Sequence, residues 1–250
     1  MRHESRCVPA RSILQAQLPM SSELILPSPR PDADSALLVL IRHAESVANA
    51  ERRFTRHDDE PLTPLGEDQA RGVGRLLSKH DVRFDALYAS PFLRTVQTAE
   101  LAGAAWRLEA RLDERLREQS FGEFAGRPYE DFYPQVAGLG PEERWDAAAP
   151  GGESLRDVAQ RVAPALVEIG HRHIGESVLL AVHGGVLAAL RGQLTGDWAR
   201  GPVPTDNVRG YGVRVARPSG DERLEAPRLG RNPLNGPVLD GPVPIFIGVP

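Results

Sequence analysis

Cysteine is almost missing: Cys7 is the only one in 250 residues. That excludes an intramolecular disulfide, a dithiol redox pair and a thiolate zinc cluster, and it fits a reducing compartment. Long apolar runs are missing too. No stretch is long and apolar enough to span a bilayer, and residues 1–35 lack the continuous apolar core of a signal peptide. A cytoplasmic protein with no membrane partner is therefore expected. Nor is there an excess of one charge: 30 Lys+Arg are scattered among 34 Asp+Glu, for a formal net charge of -4. Without a basic stripe to neutralise a nucleic-acid backbone, any bound anion should be small.

What remains is an ordinary globular composition, 41% hydrophobic and 26% charged. Periodic apolar segments run from about Leu37 to Val215 with no Pro/Gly/Ser-rich linker, so one domain is expected over 36–216. Pro9, Pro19, Pro27, Pro29 and Pro31 crowd the segment 1–35, and a Pro/Gly-rich tail occupies 217–250; both ends should be loosely structured. The residues before Met20 show no periodicity, which makes Met20 a candidate start of translation. Ile245, Phe246 and Ile247 are the apolar residues with which the tail could dock. No pattern fixes an oligomeric state.

Leu37–Ile41 is a short unbroken apolar run, as in a strand buried on both faces. Thr63 and Pro64 supply an N-cap and first-turn proline for a helix reaching about Lys79, with Ala70, Val73, Leu76 and Leu77 on one face. Phe84–Ala89 is a second strand, and Ser90-Pro91 opens a helix expected to bury Leu93, Val96 and Ala99. Trp106, Leu108, Ala110 and Leu112 alternate like a strand. Ser154 and Asp157 form a capping box before a helix striped by Leu155, Val158, Val162, Leu166 and Ile169. Val178–Val182 is another strand, followed by Gly184-Gly185 and a helix over Val186–Leu194.

Alternating strands and helices imply an α/β class with a largely parallel sheet, whose ligands bind at the carboxyl ends of the strands. The first strand runs into Arg42 and His43, the last into His183, and the one between into Ser90 and Arg94. Two imidazoles and two guanidiniums brought to one edge make a pocket suited to a tetrahedral dianion such as phosphate. Singly, each residue has a plainer reading: a satisfied structural histidine, or a surface ion pair for Arg94 or Glu118. His3, His57, His80, His171 and His173 are expected to have surface roles. Zinc is a minority reading, since neither His43 nor His183 belongs to an H-x-x-x-H or H-x-x-E-H pattern. Ser154 lacks the second glycine of a nucleophile elbow and reads as a helix cap.

Leu40-Ile41-Arg42-His43-Ala44-Glu45-Ser46 with Asn49 resembles the R-H-G-E-[ST] opening of the histidine phosphatase superfamily, the phosphoglycerate mutase-like proteins. Pro61-Leu62-Thr63 with Gly66, Ser90 to Thr98, Gly151-Gly152-Glu153-Ser154 and Val182-His183-Gly184-Gly185 resemble that family's successive motifs. The resemblance implies a three-layer α/β/α sandwich with a mostly parallel central sheet. It also implies His43 as nucleophile, Arg42, Arg94 and His183 as phosphoryl ligands, Asn49 as a further polar contact, and Glu118 as general acid/base. Ala44 replaces the usual glycine, and Arg56 stands where mutases often have another.

On that resemblance the chemistry needs a neutral His43 aimed at phosphorus and held through its other ring nitrogen. A protonated His183 would join the arginines in offsetting charge, burial would raise the pKa of Glu118, and no metal or cofactor would be required. A phosphoric monoester hydrolase acting on a small phosphorylated metabolite is preferred. A phosphoglycerate-type mutase is the alternative, and a non-catalytic phosphate-ester sensor stands third. Against the mutase, Glu118-Gln119-Ser120-Phe121-Gly122 lacks the arginine and tyrosine of the E-R-x-Y-G segment, and the interval from Gly122 to Gly152 is short. Phe121, Phe124, Tyr129, Phe132, Tyr133 and Trp145 are candidates to line a cover in that interval, with packing the plainer job for most.

Overall fold

A computed structural model of the chain describes residues 31–79, 82–195, 207–217 and 239–245. Cys7, Met20, His3, His80, Phe246 and Ile247 lie outside the described residues. Six strands form one sheet in the order β3-β2-β4-β1-β5-β6: β1 (Ser35–Arg42), β2 (Ala86–Ala89), β3 (Ala110–Leu112), β4 (Ser177–Val182), β5 (Gly210–Ala216) and β6 (Leu239–Ile245). The pairings β1–β4, β2–β4 and β2–β3 are parallel, and β1–β5 and β5–β6 are antiparallel. The mostly parallel sheet read from the sequence is therefore present. The expectation of a loosely structured tail over 217–250 is corrected at 239–245, where β6 pairs with the outer edge of β5 and extends the sheet beyond the expected boundary at 216.

Helices cover both faces: α2 (Pro64–Lys79) and α3 (Leu93–Gly103) on one, α6 (Leu155–Arg172) and α7 (Gly184–Thr195) on the other. The alternation along β1 shows the division. Leu38 and Leu40 join the core under α6 and α7, while Leu37, Val39 and Ile41 join that under α2 and α3. Both sets are buried, which is why the strand reads as a continuous apolar run. Short helices α1 (Val47–Ala50), α4 (Tyr133–Ala137) and α5 (Pro141–Asp146) lie in the connections.

Local signals set several boundaries. Thr63 Oγ1 accepts from Gly66 N–H at 3.0 Å, capping α2. Ser154 and Asp157 close the capping box of α6, and all five residues of its expected stripe are buried. The helix α3 departs from expectation. It begins at Leu93 with no side-chain cap, and its buried face carries Arg94, Thr95, Thr98, Ala99 and Ala102, while Leu93 and Val96 are only partly covered. Polar groups are tolerated there because the threonine hydroxyls donate to the carbonyls of Ser90, Phe92 and Arg94. Trp106 ends a 3-10 turn instead of joining a strand; its indole donates to Val82 O at 3.0 Å and meets Phe84 edge to face.

Candidate active site

Strand register brings the chemistry together. Arg42 lies opposite Val182 in the parallel β1–β4 pair, so His43 and His183 follow side by side; Ala89 lies opposite Ala181, so Ser90 follows in the same row. Backbone bonds continue the ladder past the strand ends, from His43 N–H to Val182 O at 2.9 Å and from Ser90 N–H to Ala181 O at 3.1 Å. Adjacent strands lie about 4.8 Å apart. The two imidazole centroids are accordingly 5.3 Å apart, in an edge-to-face arrangement.

Arg94, on the first turn of α3, reaches between them. Its Nε donates to His43 Nε2 at 3.2 Å and its Nη2 to His183 Nδ1 at 3.3 Å. A guanidinium has only donors, so both of these ring nitrogens must carry lone pairs. The remaining nitrogens are then the protonated ones: His43 Nδ1 donates to Ala44 O at 2.7 Å, and His183 Nε2 to Ser90 Oγ at 2.8 Å. His43, His183 and Arg94 are all buried. Desolvation, reinforced by Arg94 and Arg42, holds the His43 pKa well below its ordinary value. His183 is depressed in the same way, by desolvation first and then by Arg94, His43 and Arg42. The expected protonated His183 is thus corrected to a neutral imidazole in the free site, because burial and the neighbouring Arg94, His43 and Arg42 disfavour a further positive charge there. Burial lowers Arg94 itself to about 10, which leaves it charged at neutral pH. Its Nη1 is buried without a hydrogen-bond partner among the described residues, a donor ready for an anion.

Ala44 sits where a glycine was anticipated, yet the non-glycine residues with positive φ among those described are Arg52, Arg107 and Val208, so its backbone is ordinary. Its N–H donates to Thr98 Oγ1 at 3.0 Å, tying the His43 loop to α3. Glu118 is partly buried and makes no ion pair among the described residues. Its Oε1 accepts from Gln119 N–H at 2.9 Å and Gly185 N–H at 3.0 Å, bringing it to the head of α7. Desolvation raises its pKa, outweighing those two backbone donors and the pull of Arg94 and Arg42.

A cavity of about 1090 Å³ opens above this cluster, lined by Arg42, His43, Asn49, Arg94 and Glu118. His183 lies behind it, fully buried. Asn49 is engaged on both sides: its amide donates to Tyr129 OH at 3.1 Å, and its Oδ1 accepts from Asn207 at 3.1 Å. Phe121, Tyr129, Phe132 and Tyr133 line the cavity together with Phe54. Trp145 instead packs in the core under α6, and Phe124 packs behind Phe132. Among the described residues no cluster of three or more His, Cys, Asp and Glu side chains could hold a metal ion. No helix among them is long and apolar enough to cross a membrane.

Two residues outside the sequence motifs support the site, Asn207 and Arg161. Asn207 donates to His43 O at 2.9 Å. Arg161 holds the Glu118 segment, donating to the carbonyls of Arg115, Arg117 and Glu118 at 2.8–2.9 Å and to both oxygens of Glu153. His173, expected at the surface, is buried between Tyr88 OH at 3.2 Å and Glu176 at 2.6 Å. Basic residues spaced along an amphipathic helix, as Arg161 is, carry a weak signal; a single loop asparagine carries none.

Known proteins are similar to this chain in sequence and fold. The chain is 35% identical over 164 residues to phosphoglycerate mutase-like protein 4 of Arabidopsis thaliana, covering 64% of this chain and 71% of that one. It is 37% identical over 163 residues to a 2,3-bisphosphoglycerate-dependent phosphoglycerate mutase of Methylorubrum populi, covering 62% and 76%. Among solved structures, a mycobacterial glucosyl-3-phosphoglycerate phosphatase superposes with a TM-score of 0.62 at 27% identity, over 72% of this chain and 91% of its own. With residues 38–206 matching the family model, the chain belongs to the histidine phosphatase superfamily (branch 1).

Proposed function

We propose that this protein is a cytoplasmic phosphatase that hydrolyses small-molecule phosphate monoesters through a phosphohistidine on His43, with Glu118 as general acid and then base. The observation that carries the reading is the state of His43. A buried, neutral ring whose Nδ1–H is fixed on Ala44 O aims the lone pair of Nε2 into a cavity that also holds Glu118. In this arrangement Arg94 Nε occupies that lone pair. An incoming phosphoryl oxygen offers Arg94 a stronger, anionic acceptor and frees it.

In the first step His43 Nε2 forms a bond to phosphorus as the ester P–O bond breaks, and protonated Glu118 gives its proton to the departing alkoxide. In the second, the ionised Glu118 takes a proton from water as the water oxygen attacks phosphorus. The P–N bond then breaks and returns the lone pair to His43. Arg42 and Arg94 offset charge on the equatorial oxygens, and neutral His183 acts by holding Arg94. Asn49 is assigned a polar contact at the phosphoryl group.

Hydrolysis is favoured over phosphate return because the positions where mutases carry arginine and tyrosine hold Gln119 and Phe121 at the cavity wall, without a guanidinium or phenol to grip a carboxylate. The Gln119 amide donates to Glu153 O at 2.7 Å, and Phe121 packs on Phe54 at 4.0 Å between centroids. The mutase is the second reading, supported by the relatives named as 2,3-bisphosphoglycerate-dependent phosphoglycerate mutases. A phosphate-ester panel run on the wild type and His43→Ala tests both. Stoichiometric inorganic phosphate, lost in His43→Ala, supports the phosphatase. Interconversion of phosphoglycerates without release, when 2,3-bisphosphoglycerate is supplied, supports the mutase; tight binding without turnover defeats both.

A further inference from the structure

Besides Arg42 and Arg94, the cavity is lined by Arg52, Arg56, Arg117, Arg144 and Arg161. Four of these are engaged within the protein. Arg52 pairs with Glu130 at 2.7 Å, Arg117 with Asp58 at 3.1 Å, and Arg161 with Glu153 at 2.7 Å. Arg144 donates to the carbonyls of Leu139 and Ala137 at 2.9 and 2.7 Å. The same pairs use up Asp58 and Glu153, and Arg117 also takes Glu114, so these lining acids are already matched. The Arg56 guanidinium has neither an ion pair nor a hydrogen-bond acceptor among the described residues.

An unpaired arginine at a rim is ordinarily just solvated, but Arg56 has a seat. Its side chain lies against Gly126, whose φ of +81° suits glycine; a Cβ there would stand 2.9 Å from Arg56 Nε, 3.2 Å from its Cβ and 3.4 Å from its Cδ. The seat is fixed from both sides. Gly126 N–H donates to Phe54 O at 3.2 Å, and Arg56 N–H to Glu60 Oε1 at 2.7 Å, an oxygen that also accepts from Arg53. The Arg56 backbone is thus anchored and its exposed side chain lies along Gly126, so the guanidinium starts from a held base when it takes an anion.

We propose that Arg56 is a specificity-determining residue: it binds a second anionic group of the substrate, a carboxylate or a further phosphoryl, beyond the ester being cleaved. The inference rests on the phosphatase reading of the His43 cavity and deepens it. The substrate is then a phosphate monoester whose body carries its own negative charge, lying between the guanidinium and the aromatic side chains of the same cavity.

Non-hydrolysable phosphonates separate this claim from turnover. Binding of alkylphosphonates to the wild-type protein is measured by calorimetry, with and without a terminal carboxylate, along a series of increasing chain length. At one or more lengths the carboxylate should tighten binding about tenfold or more, the range of a charge-assisted hydrogen bond. Arg56→Gln should abolish that preference and leave the plain alkylphosphonates unchanged; Arg56→Lys should keep part of it. Free acetate added beside a plain alkylphosphonate should not reproduce the gain, which sets a tethered second anion apart from a separate one. A preference absent at every length, surviving Arg56→Gln or reproduced by free acetate overturns the proposal. Phosphonates that fail to bind at all overturn the underlying phosphate-site reading, and the proposal with it.

Discussion

Replacing Glu118 by glutamine removes a proton and leaves the rest of the side chain in place. Its Oε1 accepts from the N–H groups of Gln119 and Gly185, and a glutamine carbonyl can accept both, so neither buried donor is left unpaired. Glu118→Ala would orphan them and add roughly 1–3 kcal/mol each of unrelated cost, so glutamine is the cleaner probe. With an alkyl phosphate the leaving alkoxide needs that proton. The loss in kcat/KM should be on the order of 10² to 10⁴, or about 2.7 to 5.4 kcal/mol of transition-state stabilisation. With 4-nitrophenyl phosphate the leaving group departs as a stable anion, and kcat/KM, which reports the first step, should fall by less than about tenfold. Hydrolysis of the phosphohistidine still lacks its base, so rapid-quench measurements should show a burst of nitrophenolate followed by a slow steady rate. Equal losses in kcat/KM for the two esters would refute the assignment of Glu118 as the proton donor.

For alkyl esters, kcat/KM against pH should rise as His43 loses its proton, at a pH well below the 6.5 of a free imidazole. It should fall again as Glu118 ionises, above the 4.5 of a free carboxyl; a profile without the second limb would contradict the raised Glu118 pKa. Stability should follow the histidines. Both are held neutral when folded, so the unfolded chain binds more protons below about pH 6.5, and thermal unfolding should move to lower temperature as pH drops from there. Gly74→Ala would set a Cβ 2.5 Å from the Ala102 carbonyl, where α2 meets α3; chemical denaturation should register a loss of about 1–3 kcal/mol. Arg161→Met removes a partly buried guanidinium bonded to three carbonyls and to Glu153. It should cost about 1–3 kcal/mol and lower kcat/KM for alkyl more than for aryl esters, because the Glu118 segment is released.

Residue pattern carried the parallel strands and most of the helices because burial on two faces writes itself as apolar runs, and capping chemistry is local; the antiparallel β5 and β6 escaped it, since Gly and Pro interrupt their apolar residues. Ser154 with Asp157, and Thr63 ahead of Pro64, act within one turn. The helix α3 resisted because its inner face is polar: Arg94, Thr95 and Thr98 look like solvent-facing positions until their partners across the fold are known. Ser90 reads as a helix cap for the same reason, though its hydroxyl accepts from His183 on a neighbouring strand. The histidines at the strand ends could be anticipated from topology, since parallel neighbours must end on one edge. The tautomers could not, because they depend on where the Arg94 nitrogens fall. Arg56 shows the limit most plainly: its substitution for a glycine was visible, but its seat on Gly126 joins residues seventy positions apart.

The central claim is that the phosphoryl group passes through His43. Rapid quenching of the wild-type enzyme with a phosphorus-labelled ester, followed by peptide mapping under alkaline conditions, reads it directly. The label should sit on the peptide carrying His43, be stable to base and labile to acid, and be absent from His43→Ala. Label on another residue, or no covalent label while phosphate is released at the full rate, would contradict it.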